Sequence, residues 1–297
     1  MPGENGTVKL SFVILHYLAC ATTQACIRTL LSTFGGDVHI VVVDNASPDG
    51  SGAKLREMFS SIPRVHFVLL ESNLGFASGN NAGYRYAVEN LSADFVVVMN
   101  NDVLIEDPSF ADGIASEYRA KPFAVLGPDI YSPDAGLHQS PSLLRPMSRD
   151  LVVDRLRSIQ KKNRCFLYHY MSWKLKIHFH LAQEKKPANS SFDVPHEDCV
   201  LHGACYVFSP DFIKARPREA FNPSTFLYCE EEILYWECRR QNLEMRYTPS
   251  LHVKHLEDRS TVAAFASDCR RTRMKQKRLE ESLKVLLEVM DSCCGEN

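Results

Sequence analysis

Short runs of β-branched residues alternate with helix-length amphipathic stretches through the first 130 residues, and this rhythm restricts the fold more than any other property of the chain. Residues 8–15, 38–43, 65–70, 94–99 and 124–127 read as strands, and 19–33, 51–61, 78–90 and 108–119 as helices. Strand, helix and strand in repetition require crossover connections, and therefore an α/β fold with a mostly parallel sheet covered by helices. Ligands of such sheets sit beyond the carboxyl ends of the strands, so the residues just after each strand are the first place to look for chemistry.

Those positions are rich in polar groups. The first strand runs into His16-Tyr17 and the second into Asp44-Asn45-Ala46-Ser47-Pro48-Asp49-Gly50-Ser51. The third leads to a stretch from Asn73 to Gly83, and the most apolar strand, 95–99, ends in Asn100-Asn101-Asp102. The carboxylates of Asp44 and Asp49 suit ribose hydroxyls or a base N–H, and they suit turn and cap chemistry equally. Glycines and asparagines entering a helix at 73–83 let backbone N–H groups approach a phosphate or base. The spacing there is not GxGxxG, and no GxxxxGK[ST] occurs, so neither a dinucleotide fingerprint nor a P-loop is present. One carboxylate flanked by amides at 100–102 suits Mg²⁺ or Mn²⁺, shared with a substrate diphosphate.

Beyond residue 130 the rhythm breaks. The window 143–186 holds eleven basic and three acidic residues together with aromatics such as Phe166, Tyr170 and Trp173. It fits either an anionic membrane surface or charged acceptor, or a helical insertion packed on the main domain. Strand-like patterning returns at 199–209, 245–248 and 252–254, with a helix read at 226–240. Glu230-Glu231-Glu232 lies in that helix, where the dipole favours acidic residues, and where burial and mutual repulsion would raise one carboxylate toward a general base's range. His255 follows the last short strand. The three-residue steps of His196, Cys199, His202 and Cys205 do not match paired zinc knuckles. Residues 261–290 read as a basic, amphipathic helix built for packing, pairing or membrane contact, which leaves a homodimer through the C-terminal helices as one expectation.

A formal net charge of −2, from 34 Lys and Arg against 36 Asp and Glu, excludes a chain built as a whole to bind nucleic acid. Ten cysteines without a CxxC pair, no secretory signal pattern and no apolar run of membrane-spanning length point to reduced thiols in the cytoplasm, with any membrane contact peripheral to its inner face.

Taken in order, Asp44-Asn45 through Ser51, Asn73 through Gly83, Asn100-Asn101-Asp102, Leu201-His202-Gly203, Phe226 through Glu231 and Tyr247 through His255 resemble the family 2 inverting glycosyltransferases of GT-A fold, particularly the bacterial rhamnosyltransferase-like branch. The resemblance implies one GT-A domain over 1–260, with a nucleotide-sugar half at 1–130, the basic helical insertion at 143–190, an acceptor and catalytic half at 191–260, and a helical extension at 261–297. It implies a nucleoside-diphosphate sugar donor, dTDP- or UDP-linked, and a glycan or lipid-linked acceptor. His16, Tyr17, Asp44, Asn45, Asp49, Asn73, Gly75, Phe76, Asn80, Asn100 and Asn101 would hold the donor. Asp102, the last residue of an Asp-x-Asp pattern whose first position is Asn100, would hold Mg²⁺ or Mn²⁺ with His255. Glu231, where the family usually has Asp, would be the base, with Glu230 beside it. His202, Gly203 and Trp236 would face the acceptor. A noncatalytic nucleotide-sugar-binding or membrane-peripheral scaffold keeps the same pocket without the base. A sugar nucleotidylyltransferase would need a basic glycine-rich loop where His16-Tyr17 stands.

Overall fold

In the computed structural model, the residues described are 8–166, 170–171, 192–257 and 269–294. Ten strands and eight helices are found among them. Through the first half they run β1 (Leu10–His16), α1 (Cys20–Thr33), β2 (Val38–Asp44), α2 (Ser51–Phe59), β3 (Val65–Leu69), α3 (Gly75–Leu91), β4 (Phe95–Asn100), β5 (Val103–Leu104), α4 (Phe110–Ala120), β6 (Val125–Ser132) and β7 (Leu137–His138). Then follow α5 (Arg149–Arg164), β8 (His196–Glu197), β9 (Cys205–Phe208), α6 (Pro210–Ala215), α7 (Glu230–Arg240), β10 (Met245–His255) and α8 (Cys269–Cys294).

The strands form one mixed sheet in the order β3-β2-β1-β4-β9-β6-β10-β5, with β7 beside β6 and β8 beside β10. Strands β1 to β4 are parallel, as the alternation requires, and β6 and β10 pair parallel to each other. Between these halves β9 runs antiparallel to both neighbours. Register places His16 opposite Asp44 and Leu15 opposite Asn100, so the polar residues that close β1, β2 and β4 meet at one edge of the sheet. Because Cys205 of β9 pairs with Met99, the chain entering β9 arrives at the same edge, and Asn100 N–H donates to the Ala204 carbonyl at 2.9 Å.

Alternating side chains of the strands feed two cores, as expected of a sheet covered on both faces. Phe12 and Ile14 face α1 and α4 with Ile27, Leu30 and Ile114, whereas Val13, Val41 and Val43 face α3 and α7 with Tyr84 and Leu234. Helix α3 begins at Gly75, earlier than the sequence predicts, and its glycines pack it onto the sheet. A Cβ at Gly83 would lie 2.4 Å from Val13 Cγ1 and 2.6 Å from Val43 Cγ2, and one at Gly79 would lie 2.6 Å from Leu15 Cδ1. These glycines bring a helix close onto the sheet; they do not end one.

A third core joins α5, α7 and α8 through Val152, Ile159, Ile233, Leu283, Leu286 and Met290. The described part of the basic window therefore packs on the chain through its apolar side. Its remainder, with Trp173, Lys174, Lys176, Lys185 and Lys186, lies outside the described residues, as do 261–268 of the last predicted helix. The apolar stripe predicted for that helix is buried within the chain. Two boundaries move for backbone reasons. Tyr228 and Cys229 hold φ of 87° and 63°, so α7 starts only at Glu230. The two short strands predicted after 245 are one strand, with a register shift between Thr248 and His252.

Candidate active site

Residues predicted to hold the donor divide into two groups. His16 is fully buried, with Nδ1 2.8 Å from Thr23 Oγ1 and Nε2 2.9 Å from Ser51 Oγ, and burial lowers its pKa against the pull of Asp44 and Asp49. It ties α1 and α2 to β1. Asn45 is likewise occupied: its Nδ2 donates to the Gly75 carbonyl at 3.1 Å and its Oδ1 accepts Leu74 N–H at 2.8 Å. Its amide fixes the loop from 73 to 75. Asn101 spends its Nδ2 on Thr23 Oγ1 at 2.9 Å. Gly75, at φ +80°, is needed for protein contact: a Cβ there would fall 2.2 Å from the Phe226 carbonyl oxygen, which accepts Phe76 N–H at 2.8 Å. Asn80 Nδ2 caps the Phe76 carbonyl at 3.0 Å, and its buried Oδ1 has no hydrogen-bond partner.

The second group stays at the sheet edge. Tyr17 is 39% exposed. Asp44 accepts Ser47 N–H at 3.1 Å through Oδ1, and its Oδ2 lies over Gly52, where a Cβ would come within 2.0 Å. Asp49 is exposed, and hydrogen bonds from the Ser51 hydroxyl and N–H hold its carboxyl below the usual range. Asn73 accepts Gly75 N–H at 2.9 Å, and Phe76 packs edge-on against Phe221. Asn100 is half-buried beside them.

Asp102 and His255 meet. Asp102 Oδ1 lies 3.2 Å from His255 Nε2, and this buried oxygen has no hydrogen-bond partner. His255 Nδ1 lies 2.7 Å from Gln139 Oε1, which orients the ring so that Nε2 faces Asp102. A carboxylate oxygen and an imidazole nitrogen brought together in this way fit a divalent cation completed by ligands from a substrate. The pair does not make a closed protein site: among the described residues, no three or more His, Cys, Asp or Glu side chains gather to hold a metal. Gln139 was not singled out in the sequence, because a lone glutamine after a strand carries no pattern.

Glu231 Oε1 accepts Gly203 N–H at 3.2 Å, joining the start of α7 to the loop before β9. Burial raises its pKa, and the Gly203 bond opposes that rise. Glu230 is buried, its Oε1 lacks a partner, and burial pushes its pKa up to about 7, with Glu231 adding to the rise. Glu232 points elsewhere, accepting Met147 N–H at 3.3 Å beside α5. His202 Nδ1 accepts Ala204 N–H at 3.2 Å, and its ring lies 5.9 Å from that of His255. Trp236 is not with them: it packs in the third core, with its carbonyl 3.4 Å from Cys293 Sγ. Glu232, Ile233 and Trp236 share one helix face, and Glu231 lies on another. Tyr206, fully buried with an unpaired hydroxyl, sits in the field of Glu231 and Glu230, and alternating strand chemistry alone did not mark it.

A raised carboxyl pKa makes the folded state bind more protons than the unfolded chain between about pH 4.5 and about 7. The stability from a protonated Glu230 is full at the acid end of that window and is lost as pH rises through it. Glu230→Gln is therefore expected to raise the thermal midpoint at pH 8 and leave it unchanged at pH 4. Equal shifts at both values would reject burial as the cause.

A cavity of about 840 Å³ is lined by Leu104, His138, His252 and Lys254 among others, and by none of the predicted site residues.

Residues 11–196 match the family model described as Glycosyl transferase family 2. The low-salt glycan biosynthesis hexosyltransferase Agl10 of Haloferax volcanii is 23% identical over 237 residues, which cover 80% of this chain and 63% of that protein. The chain thus spans less than two thirds of that relative's length. Among solved structures, S. aureus TarS 1-349 with UDP-GlcNAc superposes with a TM-score of 0.52 at 12% identity, covering 84% of this chain and 59% of that one. GalNAc-T7 with UDP, GalNAc and Mn²⁺ superposes with a TM-score of 0.55 at 12% identity, covering 86% and 44%. These likenesses show the fold, a GT-A-like mixed α/β sheet.

Proposed function

The chain belongs to glycosyl transferase family 2, and from that premise we propose that it is an inverting hexosyltransferase, moving a sugar from a nucleoside-diphosphate donor to a hydroxyl of a glycan or lipid-linked acceptor. The reading is supported by one convergence. The Asp102–His255 pair and the Glu231–Gly203 bond lie at the same sheet edge, linked through Asn100 and Ala204. The matched segment ends at residue 196, so Gly203, Glu231 and His255 are argued from geometry and from the sequence resemblance.

In the proposed reaction, Glu231 takes the proton of the acceptor hydroxyl. The acceptor oxygen then forms a bond to the anomeric carbon as the bond to the donor's diphosphate oxygen breaks on the opposite face. Configuration inverts in one displacement, and the nucleoside diphosphate leaves. Asp44 and Asp49 offer acceptors to the base and ribose, and Asn45 holds the 73–75 loop that walls the pocket. Asp102 and His255 would hold Mg²⁺ or Mn²⁺, which when bound supplies positive charge to the leaving diphosphate. Gly203 N–H orients the carboxylate of Glu231, and its partial burial keeps water from lowering its basicity.

The structural neighbours TarS and GalNAc-T7 carry UDP-GlcNAc and UDP; on that ground, UDP-linked sugars lead the proposed donors. The rhamnosyltransferase-like resemblance keeps dTDP-rhamnose among them. A panel of UDP-sugars and dTDP-rhamnose, scored for release of nucleoside diphosphate with Mn²⁺, Mg²⁺ or EDTA, tests the proposal. Metal-stimulated release from one donor, with inverted product on an added acceptor, is the expected result. Absence of release from every donor under conditions where UDP binds would leave a nucleotide binder and reject the enzyme.

A further inference from the structure

Helix α8 lies beyond the segment matched by the family model, yet two of its side chains reach the turn that leads into the proposed base. Ser282, 1% exposed, donates from Oγ to the Leu227 carbonyl at 2.9 Å. The Arg278 guanidinium lies 4.2 Å from the centre of the Phe226 ring and pairs with Glu281 at 3.1 Å. On its other side the turn is held by the donor loop, since the Phe226 carbonyl accepts Phe76 N–H at 2.8 Å. Its exit is strained: Tyr228 and Cys229 both sit in the left-handed region without being glycine, a conformation that persists only where the surroundings impose it.

We propose that Ser282 and Arg278 are positioning residues for glycosyl transfer, which hold the 226–229 turn so that α7 begins where Glu231 meets Gly203. The inference rests on the reading of Glu231 as the base. Docking of α8 does not need either contact. Leu283, Leu286, Val289 and Met290 already bury the helix against α5 and α7, and an alanine at 282 would serve that seam equally well. The hydroxyl of Ser282 and the ring contact of Arg278 have the turn as their object. The site is therefore braced from two directions, by the donor loop through Phe76 and by the C-terminal helix through Ser282 and Arg278.

The test compares the full-length chain with the double variant Ser282→Ala/Arg278→Ala. Arg149→Ala, which removes the exposed Arg149–Asp291 contact between α5 and α8, serves as control. Amide exchange across 226–233 is expected to quicken about tenfold in the double variant, from loss of one hydrogen bond and one cation–ring contact. Turnover, read as nucleoside diphosphate release, is expected to fall roughly 10²-fold, the effect of a base displaced by about 1 Å. Donor KM should stay within about twofold, because the lost interaction belongs to the transition state. Restoring Arg278 as Lys in the double variant should recover part of both effects. Unchanged exchange across 226–233 overturns the inference whatever the activity, and so does faster exchange with undiminished turnover. An equal effect of Arg149→Ala also overturns it, since general docking of α8 would then be responsible. If the unaltered chain releases no nucleoside diphosphate from any donor, the functional reading fails, and the role assigned to Ser282 and Arg278 in transfer falls with it. The exchange measurement still separates that failure from an unbraced turn.

Discussion

Glu231→Gln is expected to lower turnover about 10²–10⁴-fold, the usual consequence of losing a positioned general base. The substitution is nearly isosteric, and the Gln carbonyl oxygen still accepts the Gly203 N–H that Glu231 accepts at 3.2 Å. Donor affinity, which depends on the β1, β2 and β4 edge, should remain within about twofold, a split that marks a transition-state interaction. Below the raised pKa of Glu231 the base is protonated, so the turnover of the unaltered chain should fall as pH is lowered through it. In Glu231→Gln that acid limb should vanish with the activity. Full turnover in Glu231→Gln with a normal fold would move the base to Glu230, whose carboxyl is also raised, to about 7. Glu232 accepts Met147 N–H beside α5 through one oxygen.

Asp102→Ala should lower turnover about 10²–10³-fold, the loss typical of removing one electrostatic group at a leaving oxyanion. It should also raise the Mn²⁺ or Mg²⁺ concentration needed for half-maximal activity. The geometry makes this separable from damage to the fold. Asp102 Oδ1 has no hydrogen-bond partner to lose, whereas the Asp102 carbonyl, which accepts Leu256 N–H at 2.9 Å, is kept in the variant. Unchanged metal activation in Asp102→Ala would remove both Asp102 and His255 from the proposed cation site. Measuring Mn²⁺ binding in the presence of UDP gives the same answer without turnover.

How far the sequence foretold this architecture depended on the range of the interaction. Strands β1, β2 and β4 are legible because all-apolar runs followed by polar residues report burial on both faces and an exposed end. The first turn of helix α3 is not legible, because its start at Gly75 depends on the Phe226 carbonyl lying against that residue. Convergence of Asp102 and Glu231 on one edge follows from strand ends, and the motif order carried it. What His16, Asn45 and Trp236 do was not legible. Each is a polar or amphipathic residue in a suggestive place, and its partners, Ser51, Gly75 and the α8 contacts, are fixed by tertiary structure. The same holds for Gln139 and Ser282, whose roles come from residues more than 50 positions away.

Strand β9 has a further consequence, for the order in which the chain assembles. It lies between β4 and β6, so these two strands are joined in the sheet only by a strand made after both of them. On a ribosome, β1 to β4 can pair as they emerge, but β6 has neither of its long neighbours, β9 and β10, until residues past 205 are made. At roughly 5–20 residues per second, that strand waits for several seconds with both edges open. During that interval its unpaired backbone groups are the part of the nascent chain most open to wrong partners. Chaperone contact early in synthesis should therefore concentrate on β6, and substitutions that make this strand more apolar should cost yield before they cost stability.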